Sequence, residues 1–240
     1  MTIQELKKKA YKIDKLVEEK IISDNEKVKP IKDGIIDINK YYSAKYKILW
    51  ILKEPYDYFD EDGNPEGGDY DLKKALAEKK SYDEFTDGKP TFMPIIYTSW
   101  GILNNFCLWE KMPYVEYDPS VLNAIQSSAY INIKKIPGRT SSPESVIKEA
   151  YLIHNDILHK QIEYYDPDII IGGSTLHHFF QNLGFTGEQM ERNGSNNYII
   201  KDEKIFIDAY HPAQRPGTTG VSKESYCNDI ITAVKNWSSN

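Results

Sequence analysis

The chain predicts an α/β protein, a three-layer α/β/α sandwich around a central, mainly parallel four-stranded sheet. Two observations predict it. Short apolar runs at 46–52, 129–133, 168–173 and 204–208 are nearly unbroken, as strands buried on both faces are. Segments of helical periodicity lie between them, and this alternation is what a parallel sheet with helices on both faces requires. The 240 residues suit one domain spanning 1–240, large enough to bury a core without disulfides or metals.

Taken in order, residues 3–20 read as an amphipathic helix, with Ile3, Leu6, Ala10, Ile13, Leu16 and Val17 on one side. Residues 1–45 as a whole read as an N-terminal helical extension, with a short element near Ile35 and Ile36. The first strand, Tyr46 to Leu52, stops at Pro55, and a loop rich in Asp, Gly and Pro follows. Helical patterns come at about 70–80, 94–109 and 119–126. The second strand is Ala129 to Ile133. The helix over 143–165 has Ser141 or Ser142 as candidate caps and Pro143 in its first turn. Asp168 to Gly173 is the third strand, leading into a helix from Ser174 to about Leu183. Tyr198–Ile200 and Lys204–Asp208 form a hairpin-like pair, and the last helix covers about 222–237.

Composition narrows the functional classes. The two cysteines, Cys107 and Cys227, make no disulfide framework and no cysteine cluster for zinc or an iron–sulfur centre. Cys107, in an apolar run, reads as a buried thiol. The first residues lack the apolar core of a signal peptide, and no run reaches the ~20 residues that cross a bilayer. The expectation is a cytoplasmic monomer without a membrane partner. The net charge of −6 disfavours a broad nucleic-acid footprint but leaves room for a local basic patch, here Lys134, Lys135, Arg139 and Arg215. The 18 tyrosines suit half-exposed clefts, or reflect a compositional bias of the genome.

In open parallel sheets, ligands sit beyond the carboxyl ends of the strands. That rule selects Lys53–Tyr58, Asn132–Arg139, Gly172–Thr175 and Ala209–Gly217. Glu54, made extended by Pro55, can orient a water or stabilise a cation; it can also cap a helix or pair with Lys53. His211 can donate to a developing oxyanion, or simply pack at a strand end. Asn132 offers a donor and an acceptor together, or caps a turn. Gly172-Gly173-Ser174-Thr175 can cradle a phosphate or serve tight strand-to-helix packing, and it lacks the spacing of a nucleotide-binding loop. His154, His159, His177 and His178 fall on helices; the last two, as neighbours, are not expected to face one site.

The order of these segments resembles the uracil-DNA glycosylase superfamily over roughly residues 45–235. Ile51-Leu52-Lys53-Glu54-Pro55-Tyr56 is similar to its first motif, an apolar strand running into a water-activating acid, then Pro and Tyr. Ala129 to Lys135 resembles the strand whose Asn reads the uracil edge. Leu158 to Ile162 and Asp166 to Gly173 resemble a helix and strand of the bacterial branches. Tyr210-His211-Pro212-Ala213-Gln214 is similar to the second motif, His-Pro-Ser with a wedge loop.

The resemblance implies roles. Glu54 would orient water or stabilise the sugar cation, and His211 would donate to the base oxygen. Tyr56 would shield the pyrimidine, Asn132 would contact the base edge, and Lys53 would stand beside the base. Gln214 or Arg215 would fill the gap left by a flipped base, with Lys134, Lys135 and Arg139 on the nucleic acid. Tyr70, Phe92 and Trp100 all lie where the stacking aromatic would be. The chain departs from the family at Leu52-Lys53, where the family has Gly and a polar residue, and at Ala213, where Ser is usual. Lys53 would then either hold Glu54 or block the approach to the base. The implied activity is metal-free and cofactor-free cleavage of an N-glycosidic bond to uracil or a related damaged base in DNA, single- or double-stranded. The alternatives are a non-catalytic binder of nucleic acid or free base, and a small-molecule nucleoside or base hydrolase.

Overall fold

A computed structural model describes residues 1–24, 30–56, 61, 68–138 and 142–239. In chain order the elements are α1 (Ile3–Asp24), β1 (Gly34–Ile35), α2 (Ile38–Ser43), β2 (Ile48–Leu52), α3 (Leu72–Ala77), α4 (Lys89–Leu103), α5 (Asn123–Gln126), β3 (Ser128–Asn132), α6 (Glu144–Tyr165), β4 (Ile169–Gly173), α7 (Phe180–Leu183), β5 (Glu191–Asn193), β6 (Asn196–Lys201), β7 (Lys204–Ala209), α8 (Pro216–Thr219) and α9 (Lys223–Ser238). Short 3-10 turns fill several of the connections, including Leu176–Phe179 before α7.

The fold is α/β, but its sheet is larger and more mixed than four mainly parallel strands. Among the described residues, seven strands run in the order β1-β3-β2-β4-β7-β6-β5. The pairs β3–β2, β2–β4 and β4–β7 are parallel. β1 joins β3, β6 joins β7 and β5 joins β6 in antiparallel fashion. The extra strands escaped the sequence for a physical reason. β1 has only two residues, and β5 is Glu-Arg-Asn, with no apolar run to mark it. Shortness in β1 and polar side chains in β5 are both ways of blunting a sheet edge.

The period of two along each strand divides the core. Ile48, Trp50 and Leu52 of β2 face a cluster with Tyr130, Ile171 and Ile207 and with residues of α3, α4 and α9. Leu49 and Ile51 face the opposite cluster, which holds Leu6, Ile13 and Ile21 of α1 and Ile147, Ile157 and Leu158 of α6. Trp50 is fully buried, and its Nε1 donates to Ser99 Oγ at 3.0 Å.

In the N-terminal part, α1 and the described residues 30–45 pack against the sheet domain. β1 is an edge strand of the sheet, and α1 supplies a share of one core. Asp33, just before β1, makes the innermost polar contacts. Its carboxylate accepts from Asn132 N (2.8 Å), from Gln161 Nε2 (3.1 Å) and from Lys135 Nζ (2.8 and 2.9 Å). Lys135 Nζ also donates to Gln161 Oε1 at 2.8 Å, and its side chain is wholly buried. Burial pushes the Lys135 ammonium below its usual range, against the opposing pull of Asp33. Lys135, expected on a nucleic-acid surface, is a core residue.

Three local expectations also change. The helix expected over 94–109 starts at Lys89 and ends at Leu103, because Asn105 and Phe106 adopt left-handed backbone with φ of 57° and 58°. Cys107 then falls beyond the helix and is half-buried, while Cys227 is the buried thiol. The region 174–183, expected as a helix from Ser174, opens with a 3-10 turn, where Thr175 Oγ1 donates to Ile51 O at 2.7 Å.

Candidate functional site

Chain exits from β2, β3 and β7 meet beyond the carboxyl ends of the parallel strands. There they line a cleft of about 690 Å³ with Leu52, Lys53, Glu54, Pro55, Tyr56, Tyr70, Phe92, Tyr130, Ser142, His211 and Ala213 among its walls. Such a volume holds a ligand the size of a nucleobase with its sugar. Both segments singled out in the sequence, at Glu54 and at His211, open onto this one space.

The Glu54 side is held by the sheet itself. Beyond β2 and β3, the ladder continues as Ile133 N to Leu52 O (2.9 Å), Lys134 N to Lys53 O (2.9 Å) and Gly138 N to Pro55 O (2.8 Å). Glu54 is thereby fixed against the 133–138 segment. Its Oε2 accepts from Lys134 Nζ at 2.9 Å, and its Oε1 accepts from Ser142 Oγ. Only 5% of the side chain is exposed. Lys134 Nζ donates a second bond to Pro137 O at 3.0 Å. Gly138 packs so closely on the carboxylate that a Cβ there would overlap the Glu54 carboxyl carbon.

Two expectations fail at this side. Lys53 does not hold Glu54: it reaches Glu144 Oε2 at 3.7 Å, and Lys134 takes the acid instead. Ser142 does not cap α6, whose first flanking residue, Pro143, makes no side-chain cap; the Ser142 hydroxyl is spent on Glu54. Lys134, expected on a phosphate, is likewise engaged with the acid.

The His211 side is set by β4 and β7. Ser174, in left-handed backbone at φ 58°, donates its N–H to Ala209 O (2.7 Å) and accepts from His211 N through its Oγ (2.9 Å). Gly172-Gly173-Ser174-Thr175 thus serves close packing and loop positioning. A Cβ at Gly173 would strike Leu52 and approach Pro212 Cδ to 2.9 Å. His211 Nδ1 accepts from Ala213 N at 3.2 Å, so the neutral ring carries its proton on Nε2. Burial, reinforced by the Lys53 cation, lowers the His211 pKa to about 4. At neutral pH the imidazole is an uncharged donor.

The remaining assigned residues separate. Tyr56 lines the cleft as a rim residue, with 56% of its surface exposed. Asn132 does not line it. Its Oδ1 accepts from the Tyr130 hydroxyl at 3.4 Å, and its buried Nδ2 has no hydrogen-bond partner among the described residues. Of the three candidate aromatics, Tyr70 and Phe92 line the cleft and Trp100 does not. Phe92 is packed on Tyr130 with ring centroids 5.6 Å apart. Tyr130 itself went unnoticed, although the two-residue period places it on the same face as Asn132. Gln214 is tied to its own loop through Val221 O (2.8 Å) and Thr219 Oγ1, whereas Arg215 is exposed. Arg139 lies outside the described residues.

A second group of titratable side chains lies across Lys53 from the cleft. Glu144, the first residue of α6, meets His177 and His178. Neighbouring histidines were not expected to share a site, but their rings lie with centroids 4.2 Å apart, tilted 40° to each other. Both reach the same carboxylate. His154 and His159 stay apart from it; His159 pairs with the Tyr151 hydroxyl at 2.9 Å.

Among the described residues, no helix is long and apolar enough to cross a membrane. No protein-family model matches this chain, and no curated protein matches it either.

Proposed function

We propose that the protein hydrolyses the N-glycosidic bond of uracil or a related damaged base carried in DNA. The observation that supports this most is the pairing, across one aromatic-lined cleft, of a fixed carboxylate with an uncharged imidazole that carries its proton on Nε2. Breaking a glycosidic bond places negative charge on the departing base and positive charge on the sugar. His211 would donate from Nε2 to the base oxygen as it gains charge. Glu54 would stabilise the sugar cation and orient the incoming water on its remaining lone pairs. Phe92 and Tyr70 provide faces for the base, and Tyr56 shields the rim. Asn132 would read the base edge once Tyr130 yields, since its Nδ2 is a buried donor still lacking an acceptor.

The second reading, a nucleoside or free-base hydrolase, is favoured by the fate of the basic residues. Lys135 is in the core, Lys134 neutralises Glu54, and the net charge is −6, which leaves Arg215 as the exposed cation among the described candidates. DNA affinity depends heavily on phosphate neutralisation. Incubation with uracil-containing single- and double-stranded oligonucleotides, followed by alkaline cleavage of abasic sites, distinguishes the two, with free deoxynucleosides assayed in parallel. Oligonucleotide cleavage supports the first reading and nucleoside turnover alone supports the second. Inactivity on uracil and on a panel of deaminated and alkylated bases removes both. Where cleavage occurs, His211→Ala should slow it by roughly 10²–10³, and Glu54→Gln by a comparable factor.

A further inference from the structure

Glu144, His177 and His178 lie outside the cleft lining and touch it through Lys53. Glu144 Oε1 lies 2.7 Å from His177 Nε2 and 2.9 Å from His178 Nε2. The three ligand atoms all lie within 4.8 Å of one another. We propose that these residues form a binding site for one divalent first-row transition ion, zinc foremost.

Four features carry the proposal. Two imidazole nitrogens and one carboxylate oxygen are a borderline-soft set, suited to zinc, cobalt or nickel and poorly suited to magnesium or calcium. The atoms already converge: tetrahedral zinc with ligands at ~2.0–2.2 Å holds them ~3.3–3.5 Å apart, so the two carboxylate–imidazole distances of 2.7 and 2.9 Å need only open by less than about 1 Å. His178 Nε2 is buried and lacks a well-oriented hydrogen bond among the described residues, although only 5% of that side chain is exposed. A metal would satisfy it. The ligands also come from firm supports. Glu144 begins α6, and His178 stacks on Tyr151 of the same helix at 5.9 Å, with planes 23° apart. Three protein ligands leave a fourth position for water or another small donor. Lys53 Nζ, 3.7 Å from Glu144 Oε2, occupies the charge position that an ion would contest.

The test uses the full chain, freed of any affinity tag and treated with chelator, titrated with zinc alone by calorimetry, with cobalt substitution read in the visible spectrum. One zinc should bind per chain with Kd tighter than ~10 µM. Glu144→Gln and His177→Ala should each weaken it at least 10-fold, in line with the usual cost of disturbing a ligand set. Both positions are well exposed, with side-chain exposures of 54% and 43%, so the variants should fold. Lys53→Met should tighten it severalfold by removing a competing cation. Weaker binding than that limit, or wild-type affinity in both Glu144→Gln and His177→Ala, overturns the proposal. The readout is metal binding, so it stands or falls separately from any glycosidic activity.

Discussion

Two adjacent lysines meet opposite fates in this molecule. Lys135 is fully enclosed and bonded to Asp33 and Gln161, whereas Lys134 stays 18% exposed and clamps Glu54 at the cleft wall. The two-residue period of the chain beyond β3 sends one side chain inward and the next to the site. A tandem Lys-Lys therefore reports on neither basic surface nor site by itself. The core pair is stapled by every available hydrogen bond, as a buried charge must be. The cleft pair retains access to solvent and can take part in chemistry.

The comparison breaks first at the core. Asp33→Ala leaves Lys135 charged and unpaired, and should cost about 3–5 kcal/mol in urea unfolding at pH 7. The folded protein then holds the Lys135 proton more weakly than the unfolded chain does, so stability should rise again as pH is raised towards 9. A loss under about 1 kcal/mol would show that the pair is not sealed from water.

The cleft responds to pH in its own way. The folded His211 pKa of about 4 lies below the ordinary histidine value, so the unfolded state takes up a proton first on acidification. His211 should therefore contribute nothing to pH dependence above about pH 6.5. Below it, stability should fall by up to about 3 kcal/mol by pH 4. His211→Asn should flatten that stretch of the curve, measured by thermal unfolding across the range. Next, Lys134→Met should cost about 2 kcal/mol in unfolding free energy. It should also reduce any glycosidic activity, because the Glu54 carboxylate loses its fixed cation. If it matches Asp33→Ala in cost, the distinction between the two lysines collapses. Arg215→Ala, on an exposed loop, should change stability by less than about 0.5 kcal/mol. Its effect should appear only in any DNA affinity and its salt dependence.

The parallel strands and the long helices α1, α6 and α9 were legible because their periodicity is local. The convergence of Glu54 and His211 was legible too, since both follow strands and strand ends gather at one edge. The partners were not. Lys134 is 80 residues from Glu54, and Lys135 is 102 from Asp33; no local pattern encodes such pairings. Ser142 was a plausible cap by position, and only the fold shows the nearer carboxylate. Phe92 and Tyr70 could be placed in the right segment but not chosen over Trp100, because which aromatic faces the cleft depends on how α3 and α4 dock.

The ladder that runs on past β2 and β3 bears on motion as well as on placement. Glu54 sits between backbone bonds to Lys134 and Gly138, so it belongs to the sheet's opening unit rather than to a wandering loop. Amide hydrogens of Lys134 and Gly138 should exchange with solvent at rates closer to those of the strands than to those of the Arg215 turn. The acid and its lysine would be released together or not at all, and adaptation to a ligand would fall to the aromatic wall facing them.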